Sequence, residues 1–314
     1  MTFDPFNELA GGSALRLDEG QQDDYCLPVA SHSPETERLD FVHDIYKYTA
    51  GNIPDEVMEL LSDGQDRSIL DVGCDTGKWA VEMTEAFPNV HVIGVDLAHP
   101  PITVFPPNFH FEIHDVTKGQ EYANDTFDIV HVRDITPGIS DFHGMLEECV
   151  RVLRPGGHLL VKEIEWMPYL HGGGDPRERM PAFRDSAFRS ALSERSIDPM
   201  IGINLKRYVG NVRGLCDIQY SRHMVPLSPW SDDPILNYTG HLTRIGMPIL
   251  GNTMRVMLID HGHPDPDSTY AEAMRELSDL TIKPAWYFGN VAARKQGKFT
   301  DVEAENGTRI LANG

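Results

Sequence analysis

The chain has 314 residues, with 27 Lys and Arg against 48 Asp and Glu, giving a formal net charge of −21 at pH 7. The length accommodates one large domain or two small ones, and 40% hydrophobic with 24% charged residues is a globular composition with enough apolar material for a sizeable core. The acidic balance disfavours nucleic acid and anionic membrane surfaces as partners, because both need a basic face. Cys26, Cys74, Cys149 and Cys216 are scattered, with no C-x-x-C pair, so neither a disulfide framework nor a metal site is expected. The N-terminal stretch carries Asp4, Glu8, Asp18 and Glu19 and does not read as a signal peptide. No run approaches the ~18 apolar residues of a membrane helix. A cytoplasmic location is expected, with the nucleus as the alternative.

In chain order, residues 1–25 are rich in Gly, Asp and Gln and read as a flexible tail. Ser68 to Gly73 reads as a buried strand ending in a glycine turn, and Lys78 to Phe87 as a helix with Trp79, Ala80 and Met83 on its apolar stripe. Val90 to Asp96, Phe109 to Ile113 and Phe127 to Val132 follow as strands, and Asp141 to Leu153 as a helix. Arg154-Pro155-Gly156-Gly157 stops that helix before a fifth strand, His158 to Glu163. Beyond Trp166 the pattern weakens. Arg179 to Arg195, Ile203 to Cys216 and Tyr270 to Leu280 are predicted helices, Asp217 to Met224 and Ala285 to Ala292 predicted strands, and residues 296–314 a polar tail. Strands alternating with helices predict βαβ units, a mostly parallel sheet, and a ligand at the carboxyl ends of the strands. Those ends carry Asp71, Asp96, Asp115, the Val132 to Asp134 stretch, and Glu163 to Trp166.

The loop Asp71-Val72-Gly73-Cys74-Asp75-Thr76-Gly77 joins the first strand to the first helix. It is not a P-loop: Gly77-Lys78 is followed by Trp79, where Ser or Thr is required. It also lacks the third glycine of the G-x-G-x-x-G dinucleotide fingerprint, which disfavours a nicotinamide dehydrogenase, and Asp75 would repel a pyrophosphate. A phosphate-free, partly cationic ligand suits it better, and S-adenosylmethionine has those properties. Asp71 and the backbone at Gly73 can receive its amino-acid end. Asp96 can accept the ribose hydroxyls, as an acidic residue about 20 positions on does in nucleotide sites. Asp115 can accept from the adenine amine, and the Val116 N–H can reach the ring.

Ile69-Leu70-Asp71-Val72-Gly73-Cys74-Asp75-Thr76-Gly77-Lys78-Trp79-Ala80 resembles the first motif of class I S-adenosylmethionine-dependent methyltransferases, and more narrowly that of the fungal LaeA-like enzymes associated with secondary metabolism. The resemblance continues through Ile93-Gly94-Val95-Asp96-Leu97, Phe127 to Arg133 and Arg151 to Gly157, ending at Glu163-Ile164-Glu165. It implies a Rossmann-like α/β fold with a seven-stranded, mostly parallel sheet in the order 3-2-1-4-5-7-6, the last strand antiparallel, and helical lid insertions. It implies leader helices over residues 26–66 that close on the cofactor, a binding core over 67–170, and a lid and acceptor region over 171–295. Cys74, Asp75, Gly77, Trp79, Leu97, Val132 and Arg133 join the implied cofactor contacts. One departure is Asp75, where the family pattern D-x-G-x-G-x-G has glycine.

Methyl transfer needs a general base only for a hydroxyl or a protonated amine acceptor. The candidates are Glu163, at the end of the fifth strand, then His43 and His131; Glu165 is a further carboxylate nearby. Their structural alternatives are a helix-surface residue for His43, a core-strand histidine for His131, and solvated charges or partners of Arg133 and Arg154 for Glu163 and Glu165. Trp166, Met167, Tyr169, Met180, Phe183, Trp230, Tyr238, Met247 and Met254 could line an apolar acceptor pocket or simply pack helices. The expected function is methylation of a small, apolar secondary metabolite at O, N or C. The alternatives are a regulatory or scaffold protein that keeps the fold and works through protein partners, and a repurposed fold in which the cofactor is structural or absent.

Overall fold

The computed structural model describes residues 34–102, 104–184, 198–260 and 262–297. Both expected tails lie largely outside these residues, as do the first residues of the expected leader region and most of the helix expected over Arg179 to Arg195.

The sheet is built from β1 (Arg67–Val72), β2 (Val90–Asp96), β3 (Phe109–Ile113), β4 (Phe127–Arg133), β5 (Leu153–Leu170), β6 (Leu215–Pro226) and β7 (Pro284–Lys295). Its order is β3-β2-β1-β4-β5-β7-β6, as the resemblance implied. Strands β1 to β5 pair in parallel, while β7 lies antiparallel to both β5 and β6. Ile69 to Val72 and the whole of β4 are buried, the near-continuous apolar run of a strand covered on both faces.

The covering helices are α1 (Pro34–Ala50), α2 (Asp55–Leu61), α3 (Lys78–Ala86), α4 (Phe142–Val152), α5 (Pro176–Arg179), α6 (Pro181–Arg184), α7 (Ile201–Gly210), α8 (Pro234–Asp260) and α9 (Pro266–Ser278). On one face, Leu146 and Cys149 of α4 and Leu205 and Val209 of α7 pack on Val130, Leu159 and Val161. On the other, Val57 of α2 and Trp79 and Met83 of α3 pack on Ile69, Ile129 and Leu160. Helix α1 covers the same side further along, where Ile45 and Tyr46 meet Leu242 and Phe288. Met180, Phe183, Leu227, Met247, Met254 and Trp286 form a separate apolar cluster at the lid.

Several element bounds differ from the sequence reading. The Arg154 to Gly157 stretch does end α4, but the chain passes directly into β5, with Leu153 already paired to Phe127 and a register shift absorbing the irregularity. Helix α7 stops at Gly210 and leaves Leu215 for β6. Helix α9 begins at Pro266, where the Asp265 side chain caps the Ser268 N–H.

Candidate active site

The loop between β1 and α3 is shaped by three residues in the left-handed region: Gly73 at φ 71°, Asp75 at 52° and Gly77 at 74°. A side chain at either glycine would also press on the end of an isoleucine, which would have to shift. A Cβ on Gly73 would lie 3.0 Å from Ile135 Cδ1, and one on Gly77 2.6 Å from Ile102 Cδ1. The loop is tied to β2 by the Gly73 and Cys74 N–H groups, which donate to Val95 O at 2.9 and 3.1 Å, and is closed by Gly77 N–H to Cys74 O at 2.8 Å. Cys74 turns its buried thiol inward against Gly94, and burial pushes that thiol well up, so only its backbone faces the loop.

Asp71 is buried at the end of β1. Its Oδ1 accepts from His131 Nδ1 at 2.7 Å, which places the proton on Nδ1, while Oδ2 has no partner among the described residues. Burial lowers the His131 pKa to about 4, so the ring is neutral, and the Asp71 contact only partly opposes this. Trp79 stacks on that ring at 3.8 Å with 1% of its own surface exposed. Trp79 is therefore a core residue beneath the loop rather than a cofactor contact. Packing of the α3 stripe decides its direction.

Asp96 Oδ2 accepts the Asp75 N–H at 2.9 Å and Oδ1 the Ala98 N–H at 3.2 Å, so this carboxylate holds both the glycine loop and the turn carrying Leu97. Burial pushes its pKa up to about 6 against the lowering effect of those backbone donors. Asp115 instead caps its own 3-10 turn: Oδ1 accepts from the Thr117 hydroxyl at 2.6 Å and N–H at 3.1 Å, and Lys118 lies 2.9 Å from Oδ2. Burial would raise Asp115, but these partners win and its pKa falls. An adenine amine there would compete with Lys118. Val116 packs its side chain into the core.

At the end of β4, Val132 is buried in the core and Arg133 reaches out under α1. Its Nη1 donates to His43 Nδ1 at 3.1 Å, which leaves the His43 proton on Nε2, facing Glu82 Oε2 at 3.2 Å. Burial and the Arg133 charge lower the His43 pKa to about 3. Helix α1 is fastened to the loop and α3 by Thr76 to Asp40 at 2.8 Å, Lys78 to Asp44 at 2.9 Å and Lys47 to Glu82 at 2.7 Å. Asp40, His43, Asp44 and Lys47 are spaced three, four and seven apart, one polar stripe of a helix. That stripe is readable in the sequence, but Asp40 on it, and Tyr46, Glu82 and Asp134 away from it, are not among the expected site residues. The Tyr46 hydroxyl donates to Asp134 Oδ1 at 2.6 Å.

Glu163 is fully buried and its Oε1 accepts the Ile135 N–H at 3.0 Å. Burial, with repulsion from Asp134, pushes it up to about 8. Glu165 serves the fold: Arg222 grips it twice at 2.6 Å, and the guanidinium lies 3.8 Å over the Tyr287 ring. Of the alternatives for these carboxylates, neither solvation nor a pairing with Arg133 or Arg154 is found: both are buried, and Arg154 binds Asp128 at 2.6 Å.

Glu163 makes stability depend on pH. Its folded pKa lies above the unfolded value of 4.5, so the folded chain holds a proton that the unfolded chain has lost across pH 4.5 to 8. Its contribution is full below 4.5 and fades as pH rises through about 8. Glu163→Gln should therefore gain stability relative to the parent as pH increases across that window. Denaturant midpoints at about pH 5, 6.5 and 8, spanning the window, check this; a parent–variant difference independent of pH would contradict it.

Residues 43–197 match the Methyltransf_23 methyltransferase domain family. These residues carry a methyltransferase domain, and the relatives of the chain are LaeA-like and fungal secondary-metabolism methyltransferases. It is 25% identical over 224 residues to the methyltransferase str2 of Strobilurus tenacellus, covering 71% of this chain and 78% of that protein. It is 29% identical over 222 residues to the secondary metabolism regulator laeA of Coprinopsis cinerea, covering 67% of this chain and 55% of that protein. It is 28% identical over 221 residues to the methyltransferase pytC of Aspergillus terreus, covering 69% and 66%.

S-adenosylmethionine is the cofactor of this class, and the residues present fit it. The glycine cradle admits a close ligand backbone, the orphaned buried Asp71 Oδ2 awaits a donor, and Asp96 offers acceptors for a diol. Lys78, the cation nearest the loop in sequence, is engaged by Asp44 rather than offered to a phosphate. When bound, the cofactor supplies an electrophilic methyl on a sulfonium. The chain's part is to align the acceptor and exclude water, and α1, latched across the loop, is placed to do the second.

Proposed function

We propose that this methyltransferase acts on a small, largely apolar secondary metabolite, which docks against the lid. The observation that carries this reading is the lid cluster: Phe183, Met180, Met247 and Leu227 pack with Trp286, and Ile164 and Trp166 of β5 join them just past Glu163. Within that apolar wall the Trp286 indole N–H has no partner among the described residues, a buried donor that a polar group of the acceptor would satisfy. Methionine and aromatic side chains suit an irregular apolar ligand.

Alignment supplies most of the acceleration in this reading. Of the three base candidates, His43 and His131 are too weak, at about 3 and 4, and each spends a ring nitrogen on a neighbour. They position Arg133 and Asp71. Glu163, at about 8, is the strongest base of the three and takes this part for a hydroxyl acceptor in its ionised form, whose share grows as pH rises toward that value. The test is incubation with methyl-labelled donor and a panel of apolar phenols, acids and amines. Label transfer to members of the panel, reduced in Glu163→Gln while donor affinity stays unchanged, is expected. A folded, donor-binding protein that labels none of them, but retains a protein partner on purification, would favour the regulatory reading suggested by the laeA relatives.

A further inference from the structure

We propose that Asp75 and Asp134 form a carboxylate pair that reads the positive charge of the methyl donor, so that the site holds the sulfonium in preference to its neutral thioether product. This rests on the site's taking S-adenosylmethionine.

The two residues occupy equivalent places. Strands β1 and β4 are parallel neighbours, Asp75 lies in the turn past β1, and Asp134 is the first residue past β4. Both are non-glycine residues in the left-handed region, at φ 52° and 48°, a conformation that costs energy and persists where the surroundings impose it. The turns touch, since Gly73 leaves only 3.0 Å between its Cβ position and Ile135.

Each carboxylate is fixed by its surroundings. The Asp75 N–H is held by Asp96 at 2.9 Å. The Asp134 N–H donates to Lys162 O at 2.9 Å, and its Oδ1 accepts from Tyr46 at 2.6 Å and from the Ile164 N–H at 3.2 Å.

The neighbouring guanidiniums of Arg133 and Arg38 act on both carboxyls and oppose the effect of burial, but neither forms a hydrogen bond to them among the described residues. Arg38 is paired with Glu35 at 2.5 and 2.8 Å, and Arg133 contacts His43 while its Nε finds no partner among the described residues. Burial pushes both carboxyls up, and for Asp75 repulsion from Asp96 and Asp134 adds to this. Two buried acids in left-handed turns after neighbouring strands, repelling each other through space and only partly offset by the nearby guanidiniums, favour a ligand that brings a positive charge. The donor and its product differ at this end by that charge, carried on sulfur.

Calorimetric titration of the full chain with S-adenosylmethionine and S-adenosylhomocysteine tests the proposal. The parent should bind the sulfonium at least about tenfold more tightly. Asp134→Asn and Asp75→Asn keep an acceptor oxygen and tolerate positive φ, and each should bring the two affinities to within about threefold by weakening the sulfonium alone. Asp75→Gly, which relieves the turn as well as the charge, should do the same. A parent that binds both ligands equally, or a preference that survives in all three variants, would overturn the proposal. So would variants that lose both ligands in equal proportion, because that marks the carboxylates as elements of shape. Failure of a folded parent to bind either ligand would remove the donor site itself, and the proposal with it, whereas equal binding removes the charge reading alone.

Discussion

Asp96→Ala should weaken the binding of S-adenosylhomocysteine roughly 10- to 150-fold, the consequence of losing about 1.5–3 kcal/mol of hydrogen bonding to a charged group. The position is set by the fold. Asp96 closes β2, beside the glycine loop that follows β1, where an open parallel sheet gathers its ligand. Its two oxygens already hold the Asp75 and Ala98 N–H groups, so the truncation removes an acceptor for the ribose and also unfastens the loop. With a pKa of about 6 the group is ionised at neutral pH, and hydroxyl donors would lower that value further. Asp96→Asn keeps one acceptor oxygen and should lose less than the alanine variant. Calorimetry at pH 7.5, about 1.5 units above the group's pKa, measures both; a dissociation constant unchanged in the alanine variant would remove Asp96 from the site.

Trp79→Ala should cost about 3–5 kcal/mol of stability, the range for deleting a large aromatic from a packed core. The indole is enclosed by Val57, Met83, Ile129 and Leu160, and its face covers His131. Its removal opens a cavity under β1 and β4 and uncovers the imidazole that holds Asp71. The loss should appear as a lower denaturant midpoint with an unchanged slope. Wild-type stability combined with weakened donor binding would instead restore Trp79 as a cofactor contact.

The strands that build the donor site were legible because a strand covered on both faces is apolar throughout. Ile69 to Val72 and Phe127 to Val132 have no competing helical period. The glycine loop was legible because positive φ and close approach restrict the residue type, and Asp75 shows the restriction relaxed to the next most tolerant kind of residue. Helix α8 was not legible. It contains Gly240, Gly246, Pro248 and Gly251, which read as breakers, whereas in the fold Gly240 and Gly251 let neighbouring segments approach to distances that a side chain would block. Trp79 followed the motif into the wrong role, although the same sequence had placed it on the apolar stripe of α3. Asp134 lies at a strand end where a ligand is expected, but its bond to Tyr46 joins residues 88 positions apart, and no local pattern carries such a pairing. Asp115 was placed at the correct strand end, but its neighbours Thr117 and Lys118 compete for the carboxylate.

The most direct test of the donor site is calorimetric titration of the purified chain with S-adenosylhomocysteine, with Asp96→Ala as the control. Saturable binding with a dissociation constant in the micromolar range, about −8 kcal/mol, that weakens at least about tenfold in the control is the predicted result. A folded protein that takes up no ligand, or takes it up equally well without Asp96, would contradict the assignment of this strand-end cluster as the methyl-donor site.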